Sequence, residues 1–270
     1  MTQFDPIRVG LIGAGGRWGP RAHAPALNGV PETELYAVCT AHADTAQAAA
    51  DKLGVPRAYG NDKELNADAQ VEAVAVAVRV PAHYELTKNA IEAGKHVFCE
   101  WPLGANTKEA EDLAALARRK NVRTMVGLQR RASPAYLYMR ELLDQGYVGE
   151  VLAVNMTLLG SGVLTRPSDR TWQRDVTLGA NTLTITLGHV FDAMCMVVGE
   201  LAELSAMVST QAPNGSRPTR KNTWTSPHPT TSRFTAAPKT APSSMPTAAY
   251  IRITAAGTGW RFTAGRARWR

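Results

Sequence analysis

Apolar residues in the first half of the chain fall into short unbroken runs separated by segments with helical spacing. Val9-Gly10-Leu11-Ile12 reads as a buried strand that enters the turn Gly13-Ala14-Gly15-Gly16-Arg17-Trp18-Gly19 and then a helix carrying Arg21, His23 and Leu27. Glu34 to Cys39 is a second short strand, and Ala43 to Leu53 is an Ala-rich helix stopped by Gly54 and Pro56. The run Val71 to Val78 is apolar apart from Glu72, as in a parallel strand covered on both faces. Arg79 to Tyr84 turns into a helix ending at Gly94, and Lys95 to Cys99 is the next strand. A helix then runs from Thr107 through Arg119, and Val122 to Leu128 is one more strand, ending in Gln129-Arg130-Arg131. Strands alternating with helices predict the α/β class, with an N-terminal Rossmann-type, doubly wound parallel sheet.

Beyond Arg131 the pattern thins. Ala135 to Gln145 is a helix closed by Gly146, Gly149 to Met156 a strand, and Gly160 to Val176 a long loop containing Arg166, Arg170, Trp172 and Arg174. Leu183 to Val198 is an apolar helix and Leu201 to Val208 a strand. From Pro213 onward, seven prolines, many Ser and Thr and no acidic residue replace the regular pattern, and only Ala249 to Ile253 reads as a strand. The expected division is a Rossmann domain over 1–131, an incomplete α+β domain over 132–212, and a basic, poorly ordered tail over 213–270.

Charge changes this picture in one respect. The formal balance of +7 is unevenly spread, because residues 213–270 hold ten Lys or Arg and no Asp or Glu, which leaves the rest at −3. Basicity therefore does not mark the folded body as a nucleic-acid binder, and a nucleic-acid partner is not expected. Cys39, Cys99 and Cys195 show no C-x-x-C spacing, so neither a metal site nor a disulfide framework is expected, and the thiols read as packing residues. No apolar run reaches the roughly 18 residues of a membrane span. The N-terminus lacks a basic segment followed by an apolar one, so a cytoplasmic location without a membrane partner is expected.

The chemistry concentrates at the carboxyl ends of the expected strands. A glycine turn between a strand and a helix lets backbone amides approach a pyrophosphate, since no side chain holds the phosphates away. Gly13 and Gly15 fill two places of G-x-G-x-x-G, while Trp18 stands at the third and Gly19 follows it. An acid ending the second strand would bind ribose hydroxyls, but Thr40-Ala41-His42 stands there without one. That absence, with Arg17 in the turn, is compatible with the extra phosphate of NADP, so the cofactor is NAD or NADP. Candidate cofactor contacts are Gly13, Gly15, Gly16, Arg17 and Trp18; Thr40 and His42; Val78, Val80 and His83; Glu100, Trp101 and Pro102; and Gln129. His83 and the Glu100-Trp101-Pro102 loop are expected to face the same crevice as the turn.

Together the glycine turn, Arg21-Ala22-His23-Ala24-Pro25-Ala26-Leu27, Gly94-Lys95-His96-Val97, Glu100-Trp101-Pro102 and Gly188-His189 with Asp192 resemble the Gfo/Idh/MocA family of NAD(P)-dependent oxidoreductases, over roughly Ile7 to Ala212. The resemblance implies a Rossmann domain followed by an α+β domain whose open sheet covers the active site and often forms a subunit interface. It also implies a sugar or polyol substrate, and a homo-oligomer if the second domain is intact. Carried onto this chain, the family's catalytic histidine is His189, the one candidate base for the hydroxyl proton. Two departures remove charge from the expected reaction centre. Trp101 stands where the family loop has lysine, and Ile185 stands where an aspartate is common, four residues before the histidine. They point to the branch that is similar to the yeast galactose-pathway repressor. Two functions therefore stay open: an oxidoreductase acting on a CH–OH group, and a non-catalytic dinucleotide-binding sensor or transcriptional regulator. For the tail, back-translation of Thr263 to Arg270 read one base earlier permits Tyr-Gly-Arg-Glu-Gly-Thr-Leu, a strand-turn ending typical of the family. A shifted reading frame starting near residues 213 to 225 is thus an alternative to a basic arm, and sequencing the gene decides between them.

Overall fold

A computed structural model describes residues 5–159 and 168–209, together with strands at 214–217, 220–225, 231–238, 248–254 and 259–263. The chain divides into two units, Met1–Gly127 and Leu128–Arg270.

In the first unit β1 (Ile7–Ile12), α1 (Ala24–Gly29), β2 (Thr33–Cys39), α2 (Ala43–Leu53), β3 (Arg57–Tyr59), α3 (Asp62–Ala67), β4 (Ala73–Val76), α4 (His83–Glu92), β5 (His96–Glu100), α5 (Thr107–Lys120) and β6 (Thr124–Gly127) follow in turn. Every strand pairs parallel to its neighbours, in the order β3-β2-β1-β4-β5-β6. The chain starts in the middle, winds out to β3 and returns past β1 to β4. This reversal opens a crevice at the carboxyl ends of β1 and β4, the place where such sheets bind ligands.

Burial on both faces explains the unbroken apolar runs. Val9 and Leu11 of β1 join Val38, Ala75 and Ala77 on the face covered by Ala24 of α1 and Ala49 and Ala50 of α2. Ile12, Val74, Val76, Val97 and Cys99 face the other way, toward Leu65 of α3, Ile91 of α4 and Leu113 of α5. Leu11, Leu65, Ile91 and Leu113 are fully buried, and each contributes about 1.5–3 kcal/mol by leaving water. The fourth strand is shorter than its apolar run, because Glu72 lies outside it and accepts the Arg8 amide at 3.0 Å. Sequence periodicity passes over β3 and α3, which are too short to show a period. The cap of α3 is nonetheless written in Asn61, whose side chain accepts the Glu64 amide at 2.9 Å.

The second unit holds α6 (Pro134–Asp144), β7 (Ala153–Leu159), α7 (Gly188–Val198), β8 (Leu201–Ser209), β9 (Asn214–Arg217), β10 (Arg220–Thr225), β11 (Thr231–Pro238), β12 (Ala248–Thr254) and β13 (Gly259–Thr263). Five strands form a mixed sheet, β13-β7-β12-β11-β8, in which only β7 and β12 run parallel, and β9 pairs with β10 apart from it. Beyond Pro213 the structure thus differs from the expectation of a single strand. The expected one is β12, and β11 and β13 owe their state to distant partners, β8 and β7, which local periodicity does not report. β7 starts later than expected, since Gly149 adopts a φ of 70° and belongs to the turn before it. Arg166 lies outside the described residues, and Arg170, Trp172 and Arg174 sit in a 3-10 segment, Ser168–Arg174.

One composition-based expectation is corrected. Val176–Val198 is long and apolar enough to cross a membrane by length and composition, with a mean hydropathy of 1.3, although Thr182, Thr184 and Thr186 interrupt its apolar run. One face of it packs within the second unit, with Leu187, Val190 and Met194 buried against Met156 and Leu158 of β7.

Candidate functional site

The glycine turn leaves β1 at the reversal point of the sheet. Gly13 has a φ of 102°, and a β-carbon there would lie 2.4 Å from the Ala77 carbonyl oxygen at the end of β4. Only glycine meets both demands. The turn contains one residue more than G-x-G-x-x-G, and the helix absorbs it: Gly19–His23 is a π-helical turn in which the Ala24 amide donates to the Gly19 carbonyl. Gly19, not Trp18, therefore takes the third glycine's packing role. A β-carbon on buried Gly19 would come within 2.6 Å of the Gly13 carbonyl oxygen. The motif's spacing was the available signal for this residue, but only the π turn shows which position is crowded.

The turn's amides divide into two groups. Those of Gly13, Ala14 and Gly16 donate to carbonyls of Cys39 and Gly13. Those of Gly15, Arg17 and Trp18 have no backbone acceptor among the described residues. An exposed glycine turn with unspent amides at the reversal point fits a pyrophosphate.

Gly15 lies against Thr40, whose Cγ2 would be 3.3 Å from a β-carbon on the glycine. The Thr40 and Thr45 hydroxyls are 2.6 Å apart, and they lie 2.8 and 2.9 Å from the His42 carbonyl oxygen. A neutral hydroxyl pair thus stands at the end of β2 in place of a carboxylate, with His42 and Arg17 both exposed.

Three of the expected crevice residues are placed as follows. Val80 is buried, so its side chain packs inward. His83 is 1% exposed and does not face the crevice. Its Nδ1 is 2.7 Å from the carbonyl oxygen of Pro102 and its Nε2 is 3.2 Å from that of Val78. The ring thereby staples the loop after β5 to the segment after β4. Gln129 is exposed and belongs to the second unit, where it opens the short helical turn Gln129–Ala132. Val78 remains beside the turn, with Cγ1 3.0 Å from a β-carbon placed on Gly13.

Burial holds the His83 pKa below its ordinary value, against the opposing pull of the Pro102 and Val78 carbonyls. With the folded value depressed, the unfolded chain takes up the proton first as pH falls. The stability contributed by neutral His83 is therefore complete above about pH 6.5 and is lost progressively below it. Thermal scans of wild type and His83→Gln should show a stability gap that is widest near neutrality and narrows toward about pH 5. Burial also pushes the Cys39 and Cys99 thiols up to about 12, as expected of packing residues.

Glu100 ends β5 with its carboxylate mostly buried. Its Oε1 accepts the Trp18 indole N–H at 3.1 Å and lies 2.7 Å from His23 Nε2. His23 had no assigned role in the sequence reading, because its partner is 77 residues away. The next residue, Trp101, is partly buried, and Pro102 is buried behind it.

In the second unit the helix carrying His189 is set by its own cap. Asn181, 3% exposed, accepts the amides of Leu183 and Thr184 at 2.9 and 3.2 Å, while the Thr184 hydroxyl accepts the Asn181 amide at 2.9 Å. His189 lies in the first turn of α7 and is partly buried. One turn on, Asp192 accepts Arg131 in a forked pair, with Nε to Oδ1 and Oδ2 at 2.9 and 3.0 Å and an Nη2 contact to Oδ1 at 2.6 Å. Asp192 thus ties α7 to the short helical turn that carries Arg131. Because Arg131 is half exposed, removing Asp192 by Asp192→Ala should cost about 1–2 kcal/mol. In a double-mutant cycle by urea unfolding, Arg131→Ala should add much less on that background than in wild type.

Residues 7–128 match the family described as "Oxidoreductase family, NAD-binding Rossmann fold", and residues 134–225 match "Gal80p, C-terminal domain". Dehydrogenase aclE of Aspergillus oryzae is 38% identical over 213 residues, covering 75% of this chain and 58% of that protein. The galactose/lactose metabolism regulatory protein of Kluyveromyces lactis is 27% identical over 224 residues, 77% of this chain and 49% of that one. Levoglucosan dehydrogenase of Pseudarthrobacter phenanthrenivorans is 28% identical over 216 residues, 77% of this chain and 55% of that one. An NAD binding oxidoreductase of Klebsiella pneumoniae has the same fold, with a TM-score of 0.82 at 27% identity over 93% of this chain and 67% of that one. The chain spans about half to three-fifths of the length of these curated relatives. With a glycine turn at the reversal point of its parallel sheet and a Gal80p-type domain after it, this chain belongs to the Gfo/Idh/MocA family of oxidoreductases.

Proposed function

We propose that the protein is an NAD(P)-dependent oxidoreductase acting on a hydroxyl group of a sugar or polyol. The observation that carries this reading is the glycine turn, whose Gly13 and Gly19 are each held to glycine by a carbonyl oxygen within 2.6 Å of a would-be β-carbon. The bound nicotinamide would supply the hydride acceptor or donor. What the chain itself must supply is a cradle for the pyrophosphate, a pocket for the sugar, and a group that takes the hydroxyl proton. Gly15, Arg17 and Trp18 offer the cradle, and we assign the proton to His189. A similarity to levoglucosan dehydrogenase supports a sugar as substrate. Thr40 directly after β2, where an acid would bind the ribose hydroxyls, and Arg17 in the glycine turn favour NADP, although Asp44 follows in the first turn of α2.

A second reading has its own observation. Trp101 and Ile185 leave the expected reaction centre without a lysine and an aspartate, and the second unit matches the Gal80p domain. Both features suit a regulator that binds a dinucleotide without turning it over. A turnover screen separates the two readings: the protein is incubated with NAD+ or NADP+ and a panel of aldoses, anhydrosugars and polyols, and reduced cofactor is recorded. Turnover of one substrate class establishes the oxidoreductase. Saturable cofactor binding with no turnover across the panel rejects it in favour of the regulator.

A further inference from the structure

The Glu100 carboxylate is a constrained group, and three segments of the first unit meet at it: the glycine turn, the π-helical turn and the end of β6. Trp18 of the glycine turn donates its indole N–H to Oε1 at 3.1 Å, and His23 of the π-helical turn places Nε2 2.7 Å from the same oxygen. Phe98, two residues earlier on β5, meets the His23 ring edge-on, with 5.3 Å between centroids. Gly127 at the end of β6 leaves the remaining space: a β-carbon there would lie 3.1 Å from both Cδ and Oε1 and 3.2 Å from Oε2. A carboxylate only 16% exposed requires such partners, because burying it unpaired is costly.

Trp18 and His23 flank Gly19 to Ala22, the stretch in which the extra residue of the turn is absorbed. Tying both flanks to one oxygen atom fixes the direction in which the turn's unspent amides point. The same side chain belongs to the loop that continues through Trp101 and Pro102. A loose insertion would have to be ordered at the moment of binding, and that ordering would subtract from affinity.

Resting on the reading of the glycine turn as a dinucleotide site, we propose that Glu100 and His23 form a positioning pair for that site: the carboxylate, seated over Gly127, holds His23 and Trp18 and so fixes the inserted turn in the shape that receives the pyrophosphate. Neither residue has to touch the cofactor for this effect. The pair acts through Trp18 and the amides beside it.

The test is an NADH and NADPH titration of the full chain, followed by nicotinamide fluorescence and by energy transfer from tryptophan, with a melting temperature recorded for each variant. Binding by wild type comes first, and its absence overturns the underlying dinucleotide reading before any variant is considered. Given binding, Glu100→Ala should weaken it by roughly tenfold or more, the loss expected from charge-assisted hydrogen bonds. Glu100→Gln keeps an acceptor oxygen for Trp18 and should recover binding to within about threefold of wild type. Gly127→Ala removes no donor or acceptor and only displaces the carboxylate, so it should weaken binding by an intermediate factor and reduce energy transfer. Unchanged affinity in Glu100→Ala overturns the proposal, and so does a Glu100→Gln chain that binds as poorly as Glu100→Ala. If Glu100→Ala does not fold, Gly127→Ala decides, and wild-type affinity there overturns the proposal.

Discussion

A chain carrying Gly13→Ala is expected to lose dinucleotide binding by about 30-fold or more while its sheet remains folded. Two costs coincide at this position. A φ of 102° is poorly tolerated with any β-carbon, and the carbon would lie 2.4 Å from the Ala77 carbonyl oxygen. Strain of this kind amounts to about 2 kcal/mol or more, and the turn relieves it by moving away from β4. The unspent amides of Gly15, Arg17 and Trp18 then leave the geometry that suits a phosphate. Gly54→Ala is the matched control. Gly54 has a φ of 68° at the end of α2 with nothing within 4 Å of a would-be β-carbon, so that change should cost stability of about 1 kcal/mol and leave affinity unaltered. Binding isotherms and melting curves for the two variants, run side by side, check both halves of the expectation.

The second large effect lies in the other unit. If His189 takes the hydroxyl proton, His189→Asn should lower kcat by about 10²–10⁴-fold, the range spanned by general acid–base catalysis. Its affinity for NADH or NADPH should stay within a factor of about two, since the cofactor cradle is built from the first unit. The helix bearing His189 is also held by the Asn181 cap and by the Arg131 to Asp192 pair, and both of these anchors remain in the variant. Steady-state kinetics with the best substrate from the screen, read beside a cofactor titration, distinguishes this outcome from a general loss of fold. Equal losses in kcat and in cofactor affinity would contradict the assignment.

The alternation of apolar runs and helical spacing was enough to predict the parallel sheet, because strands buried on both faces cannot carry polar residues at every second place. It also located the glycine turn and the missing carboxylate after β2, since both are local in sequence. What it could not show were distances between residues far apart in the chain. Gly19 outranks Trp18 as the third glycine only because a carbonyl oxygen lies beside it. His83 was expected in the crevice on residue type, yet its ring is buried between the backbone carbonyls of Pro102 and Val78, 2.7 and 3.2 Å from its two nitrogens. The Glu100 to His23 contact spans 77 residues and two strands of the sheet order, so no spacing rule announces it. β11, β12 and β13 pair with β8 and β7, so their state is a property of the sheet more than of their own Ser, Thr and Pro-rich sequence.

The most direct measurement of the account is an equilibrium titration of the wild-type chain with NADH and with NADPH, set beside the same titration of Gly13→Ala. Saturable binding of at least one dinucleotide by wild type, tighter for NADPH and sharply weakened by the substitution, is the predicted result. Absence of binding to both dinucleotides by a folded wild-type chain would contradict it.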